Sequence, residues 1–473
     1  MIQQLPSTIL SSELIRNIGL IRDQMGNSAD FIIRDIQIAH SHPAALIYLD
    51  GMVDTQALQS DVIGPLLDCV LQPPITFNWL SQNVIKASEI TISSKLQAGL
   101  SAILSGSVLL IADQLSEGLI IALPGWDERN IDSSSTQPAV RGPQHAFIES
   151  LRTNTTLVRR KVKDTRVRID TIQVGQLTKT DVALMYVSGL VDDQLVERLT
   201  KQLQAITADR VLEGEYLEEL LLANKMRTIF PLLYNTDRPD VIAAAIIEGR
   251  IGLFIDGTPF VLVAPSFFVD FLQAAEDYYQ SYIYSSMIRL LRYVSLYICM
   301  LAPAIYIALT TYHQDMLPTQ LLLSLAAQRE GVPFPAFVEA LMMEITFEIL
   351  REAGLRMPRT IGQAVSIVGT IVIGQAAVEA GIVSAVMVIV VAITAISSFV
   401  IPSYSMSIAI RILRFLFMSL AAIIGFYGIT IGMFMLMIHL CHLQPLGISY
   451  MSPAAPYNKK EKRDTLFRFP YRN

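Results

Sequence analysis

The sequence predicts an α/β soluble amino-terminal region of two related subdomains, followed by an α-helical polytopic membrane domain. Three observations predict it. Charge is nearly absent from long stretches of the carboxy-terminal half, the amino-terminal half carries an internal repeat, and one apolar segment bears a stripe of small polar residues.

The charge distribution sets the membrane assignment. Of 473 residues only 16% are charged and 52% are hydrophobic, with a mean hydropathy of +0.45. Soluble globular chains carry about 25% charged residues. Between Arg359 and Arg411 the only charge is Glu379, and between Arg414 and Lys459 there is none. Crossing a bilayer core takes roughly 20 apolar helical residues, so each gap is long enough for a span. The amino terminus lacks the basic-then-apolar layout of a signal peptide. The first half is therefore expected to stay cytoplasmic until the first span inserts. Cys69, Cys299 and Cys441 are too scattered for a disulfide framework or a metal site. A net charge of −6 and a pI near 5.6 argue against nucleic-acid binding.

The repeat organises the first half. Ala45–Asp54 (ALIYLDGMVD) returns as Ala183–Asp192 (ALMYVSGLVD). Upstream, Leu14, Asn17, Leu20 and Arg22 recur as Leu151, Asn154, Leu157 and Arg159; downstream, the Leu110–Asp113 run resembles Phe254–Asp256. Each copy is expected to open with an amphipathic helix. An apolar strand buried on both faces follows, then a turn into a further helix. Asp54 and Asp192 stand where helix N-caps are wanted, and Asp256-Gly257 reads as a hairpin turn. The expected divisions are residues 1–140 and 141–285 for the subdomains, 286–445 for the membrane domain, and 446–473 for a basic tail. No glycine-rich phosphate loop, nucleophile elbow or paired histidine is present. Neither an enzyme nor a cofactor is therefore expected. His40-x-His42 lacks a third metal ligand nearby, and His439 and His442 read as interfacial polar residues.

The membrane half is expected to span four times: Tyr293–Thr311, Ile361–Val378, Gly381–Ile401 and Phe415–Leu440. Arg289 and Arg292 mark the entry side of the first span as cytoplasmic. No Gly or Pro interrupts residues 266–302. Glu276, Asp277, Tyr278, Tyr279, Arg289 and Arg292 are therefore expected on one helix that couples the soluble region to the bilayer. Leu317–Glu352 carries Glu339, Glu344, Glu348 and Glu352, too acidic for an unpaired span. It reads as a re-entrant or interfacial element, or as a helix facing a water-filled path. The alternative for Glu344, Glu348 and Glu352 is a solvated, partly paired surface. In Ile361–Val378 the residues Gln363, Ser366, Thr370, Gly374 and Ala377 share one helix face. Such a stripe either packs against another helix or lines a pore with Val365 nearby, with Glu379 at the mouth. Glu344, Glu348 and Glu379 are the cation-attracting candidates. Gly425, Gly428 and Gly432 are spaced for close packing.

Several runs also carry a family resemblance: Arg141-Gly-Pro, Phe147–Asn154, Arg238-Pro-Asp240, Glu248–Phe260, Ala275–Tyr279, Glu330–Ala340, Glu344–Gly354 and Ile361–Gly369. Together they resemble the A subunits of GerA-type spore germinant receptors, densely over residues 140–455. The resemblance implies a place in the inner membrane of bacterial spores. It also implies complexes with a transporter-like B subunit that senses nutrient and with a lipoprotein C subunit. A homo-oligomer around a nutrient-gated ion path is implied as well. The chain departs from the family pattern in the Ser-rich Asp132–Ala146 loop and at Asp237, where Glu is usual. A non-conducting transducer and a secondary transporter are the competing expectations. The transporter is the weaker, because the duplication lies outside the spans.

Overall fold

A computed structural model describes residues 9–70, 75–125, 134, 136–137, 140–222, 228–358, 374–456 and 464–470. The chain divides into two compact units. Met1–Lys225 with Leu233–Pro265 form the first, and Met226–Leu232 with Ser266–Asn473 the second.

The first unit contains two five-stranded antiparallel sheets of matching topology. One runs β1 (Phe31–Ile38), β2 (His42–Leu49), β3 (Ile90–Ser93), β4 (Ser107–Ala112), β5 (Gly118–Ala122), in spatial order β1-β2-β4-β5-β3. The other runs β6 (Val167–Val174), β7 (Thr180–Val187), β8 (Tyr234–Thr236), β9 (Ile251–Ile255), β10 (Val261–Ala264), in spatial order β6-β7-β9-β10-β8. Strand alternation sends successive side chains to opposite faces. Ala44, Leu46 and Tyr48 of β2 therefore enter one core while Ala45, Ile47 and Leu49 enter another. Both faces are covered, so the apolar runs are continuous. Each fully buried Leu or Ile contributes about 1.5–3 kcal/mol.

The duplication extends to single hydrogen bonds. Helix α1 (Leu14–Met25) and helix α2 (Leu151–Lys161) open the two copies. Buried Asn17 holds the backbone of Ser11 through both its amide atoms, at 2.9 and 2.7 Å. Buried Asn154 holds Ile148 in the same way, at 2.8 and 2.5 Å. Asp113 accepts from the Leu14 amide and Asp256 from the Leu151 amide. Asp54 caps the turn beginning at Thr55, and Asp192 caps helix α3 (Asp193–Gln204), as the sequence suggests. Gly257 adopts φ +87° in the β9–β10 hairpin. The copies are joined by Arg159, only 2% exposed. Its guanidinium binds the Asp30 carboxylate at 2.8 and 2.9 Å and the Ser28 hydroxyl at 3.0 Å.

The second unit is helical: α4 (Tyr282–Thr311), α5 (Thr319–Arg329), α6 (Ala336–Arg356), α7 (Gly374–Glu379), α8 (Ala385–Val400), α9 (Tyr404–Ile424) and α10 (Phe426–His442). Helices α4 and α9 are long and apolar enough to cross a bilayer, while α8 and α10 are apolar but shorter. Helix α4 packs mainly against α9 and α8.

Two expectations are overturned here. Residues 266–302 are not one helix: Ala275–Tyr278 is a single 3-10 turn, and α4 begins at Tyr282 behind a Ser281 N-cap. No Gly or Pro was needed for the break. The Asp277 carboxylate accepts from the Ala274 amide and the Ser281 hydroxyl from the Tyr284 amide, which satisfies the groups a new helix start exposes. Nor is Phe415–Leu440 one span. The chain turns at Gly425, φ +57°, and Arg411 and Arg414 lie inside α9 rather than in a loop before it. The glycine spacing is nevertheless one of close packing. A Cβ on Gly428 would come within 2.3 Å of the Leu420 carbonyl oxygen, and one on Gly432 within 2.8 Å of the Phe417 ring.

Candidate functional site

Two clusters of charge stand out in the helical unit. The first begins with Pro303, inside α4. Proline has no N–H, so the carbonyl four residues back loses its helical donor. That carbonyl belongs to Cys299, and Arg414 of α9 supplies the replacement, its Nε donating at 2.8 Å. Nη2 of Arg414 reaches the Cys299 sulfur at 3.0 Å, and Nη1 binds the Glu344 carboxylate of α6. Arg414 and Glu344 are both fully buried. One side chain thus ties three helices, at a point where an unpaired charge would be costly.

The neighbouring charges repeat the arrangement toward the surface. Glu348 binds Arg411 at 2.6 Å, and Glu352 binds Arg356 at the exposed end of α6. Arg351 donates to the Ser398 hydroxyl at 2.6 Å and lies 5.3 Å from the Phe347 ring centre and 4.9 Å from that of Phe399. At the other end of α6, buried Glu339 accepts from the Ser384 amide at 2.6 Å and so caps α8 from outside that helix. Glu339, Glu344 and Glu348 are therefore interhelical ties, whereas Glu352 is a solvated charge paired within α6.

The second cluster lies where α4 begins. Buried Asp277 accepts from Arg289 Nε at 2.9 Å and from Arg292 Nη1 at 2.7 Å. Tyr278 lies beside it, and burial together with the nearby Asp464 carboxylate pushes its hydroxyl pKa upward. Glu276 lies within the same 3-10 turn and Tyr279 just after it, so the six coupling candidates fall on two elements rather than one.

Of the pore candidates, Gln363, Val365, Ser366 and Thr370 lie outside the described residues. Gly374 is buried at the start of α7, and Glu379 is exposed at its end, where it accepts from Gln375 at 2.9 Å. Among the described residues no group of His, Cys, Asp or Glu could hold a metal. His42 instead contacts the Asp113 carbonyl at 2.7 Å, and His439 the Thr228 hydroxyl at 2.9 Å. The two departures from the family pattern meet each other: Ser134 donates to the buried Asp237 carboxylate at 2.9 Å. The sequence reading missed Arg414, Asp464 and Arg468 as site residues. Arg411 and Arg414 were visible in an apolar stretch, and the usable signal was that they lie three residues apart while Glu344 and Glu348 lie four apart, so each pair falls on one helix face.

Comparison with known proteins gives a consistent picture. A family model described as Bacillus/Clostridium GerA spore germination protein matches residues 19–473. The chain is 44% identical to "Spore germination protein KA" of Bacillus subtilis (strain 168) over 98% of its length and 86% of that protein. It is 42% identical to "Uncharacterized membrane protein YfkQ" of the same organism, over 97% of this chain and 89% of that one. A crystal structure of the N-terminal domain of the A subunit of the Bacillus megaterium spore germinant receptor GerK3 is 33% identical. It aligns over 56% of this chain and 99% of that one with a TM-score of 0.44.

Proposed function

This chain belongs to the GerA family of spore germination proteins as the A subunit of a germinant receptor, and from that premise we propose that it oligomerises into a nutrient-gated, cation-conducting channel. In this reading it sits in the spore inner membrane with its amino-terminal region cytoplasmic. It works beside a transporter-like B subunit, which recognises the nutrient, and a lipoprotein C subunit.

The observation that supports conduction is the stripe of Gln363, Ser366, Thr370 and Gly374 in a segment whose only nearby acid is Glu379. Repeated around an axis, that face gives a polar wall with a ring of carboxylates at one end, and such rings favour cations. Glu344 and Glu348 contribute less to cation attraction, because Arg414 and Arg411 already neutralise them. The joint at Asp277 would carry motion of the soluble unit into α4.

The same ties favour a second reading, a non-conducting transducer, since a bundle knotted by buried ion pairs is also what a scaffold needs. Ion flux decides. The receptor reconstituted in vesicles should pass potassium only when nutrient is added, and Ser366→Phe should block flux while the complex still assembles. If Ser366→Phe instead prevents assembly and leaves no substitution in the stripe that alters flux, the segment is a packing face and the subunit transduces without conducting.

A further inference from the structure

We propose that residues 464–470 form a releasable latch on the joint at the start of α4, docked in the arrangement seen here and freed when α4 turns. The sequence presents this segment only as part of a basic tail. In the structure it is bound to the joint at nearly every position that matters. The Asp464 carboxylate takes a hydrogen bond from the Tyr278 hydroxyl and another from Arg289 Nη1 at 2.7 Å. The Asp464 carbonyl accepts from Gln273 Nε2 at 2.6 Å and from the same Arg289 nitrogen at 2.9 Å. Four residues on, Arg468 Nη1 donates at 2.7 Å to the carbonyls of Asp277 and Gln280 at the break before α4, the first of which also accepts from the Ser285 hydroxyl. Its amide donates to Ser286 at 3.0 Å. The guanidinium groups of Arg289 and Arg468 each lie 5.5 Å from the Tyr278 ring centre.

Three features make this a latch rather than a permanent part of the core. The hold is polar: Leu466, Phe467 and Phe469 are 39%, 52% and 59% exposed, so little apolar burial fastens the segment. The ion pairs of the joint do not depend on it, because Asp277 binds Arg289 and Arg292 independently of Asp464. And the contacts are specific to one helix rotation, since Arg289 and Ser286 sit on α4 itself. A turn of α4 carries both away from Asp464 and Arg468, so any signal passing through α4 has to break the latch. A differential binding energy that favours the turned state can supply this.

The role in signalling rests on the receptor reading above, so the test separates the two. The full receptor is reconstituted in potassium-loaded vesicles from chains carrying Gln280→Cys and Phe469→Cys, with Cys69→Ser and Cys441→Ser. Neither new cysteine removes a latch bond. A short bifunctional thiol reagent, cleavable by reductant, is then added, followed by a mixture of amino acids and sugars. The latch predicts ready cross-linking, a flux that no longer changes on adding the mixture, and recovery of the response on reduction. Full cross-linking with an unaltered response overturns it, as does failure to cross-link. A wild-type complex without any response refutes the receptor reading instead. If the cysteine pair itself fails to assemble, Asp464→Asn with Arg468→Gln decides: trypsin should cleave the unstimulated tail about tenfold faster for each charged bond lost, and an unchanged cleavage rate rejects the latch.

Discussion

Pro303 and Arg414 are complementary: the proline leaves the Cys299 carbonyl without a helical donor, and the arginine of another helix fills that vacancy while holding Glu344. Arg414→Met should therefore strand both a carbonyl and a buried carboxylate, costing about 3–5 kcal/mol. Adding Glu344→Leu should recover much of that loss, because an apolar pair of similar volume carries no desolvation penalty. Thermal unfolding of the detergent-solubilised chain reads the cycle, and a double variant no more stable than Arg414→Met alone would mean the pair is not the tie.

The α9–α10 corner depends on missing side chains. A Cβ on Gly425 would meet His313 at 2.8 Å in a conformation with φ +57°, and one on Gly428 would meet the Leu420 carbonyl. Gly428→Ala should cost at least about 1–3 kcal/mol, as overpacking does. It should lower the yield of folded protein in membranes, whereas Gly331→Ala, with open space around it, should not.

Asn17 and Asn154 do the same work in the two copies, so truncating either should have the same consequence. Each Asn→Ala change leaves two backbone groups of its loop without partners, a loss of about 1–3 kcal/mol. The two losses should add, since the sites share no partners. Urea unfolding of the single and double variants checks this, and a large inequality between the singles would show that the copies have diverged in their cores.

Glu379 is the acid left for ion attraction under the channel reading. Glu379→Gln should lower the preference for potassium over chloride without affecting assembly. Reversal potentials under a salt gradient measure it, and an unchanged preference would remove Glu379 from the path.

A flexible Gly-Ser insertion after Tyr279 tests the joint itself. It would part the 3-10 turn from Ser281 and loosen the hold of Asp277 on Arg289 and Arg292. Response to nutrient should be lost while the complex still purifies intact. A fully normal response would mean that motion reaches the bilayer by another route.

Taken alone, the sequence determined the two-part architecture, the duplication, the caps at Asp54 and Asp192, and the close glycine packing at Gly428 and Gly432. These depend on local rules: strand alternation, helix periodicity, capping chemistry and stretches without charge. Only the tertiary structure decided which charges neutralise which. Arg411 and Arg414 look like loop residues in a linear reading, because a charge inside an apolar run is costly unless something opposite pairs with it. Their partners Glu348 and Glu344 lie on another helix, some sixty to seventy positions away. The break before α4 escaped for a similar reason: it needed no Gly or Pro, only Ser281, Asp277 and the distant Arg468 to take up the freed backbone groups. Long-range pairing sets what a buried charge or an open helix end costs, and a one-dimensional pattern carries the residues but not their partners.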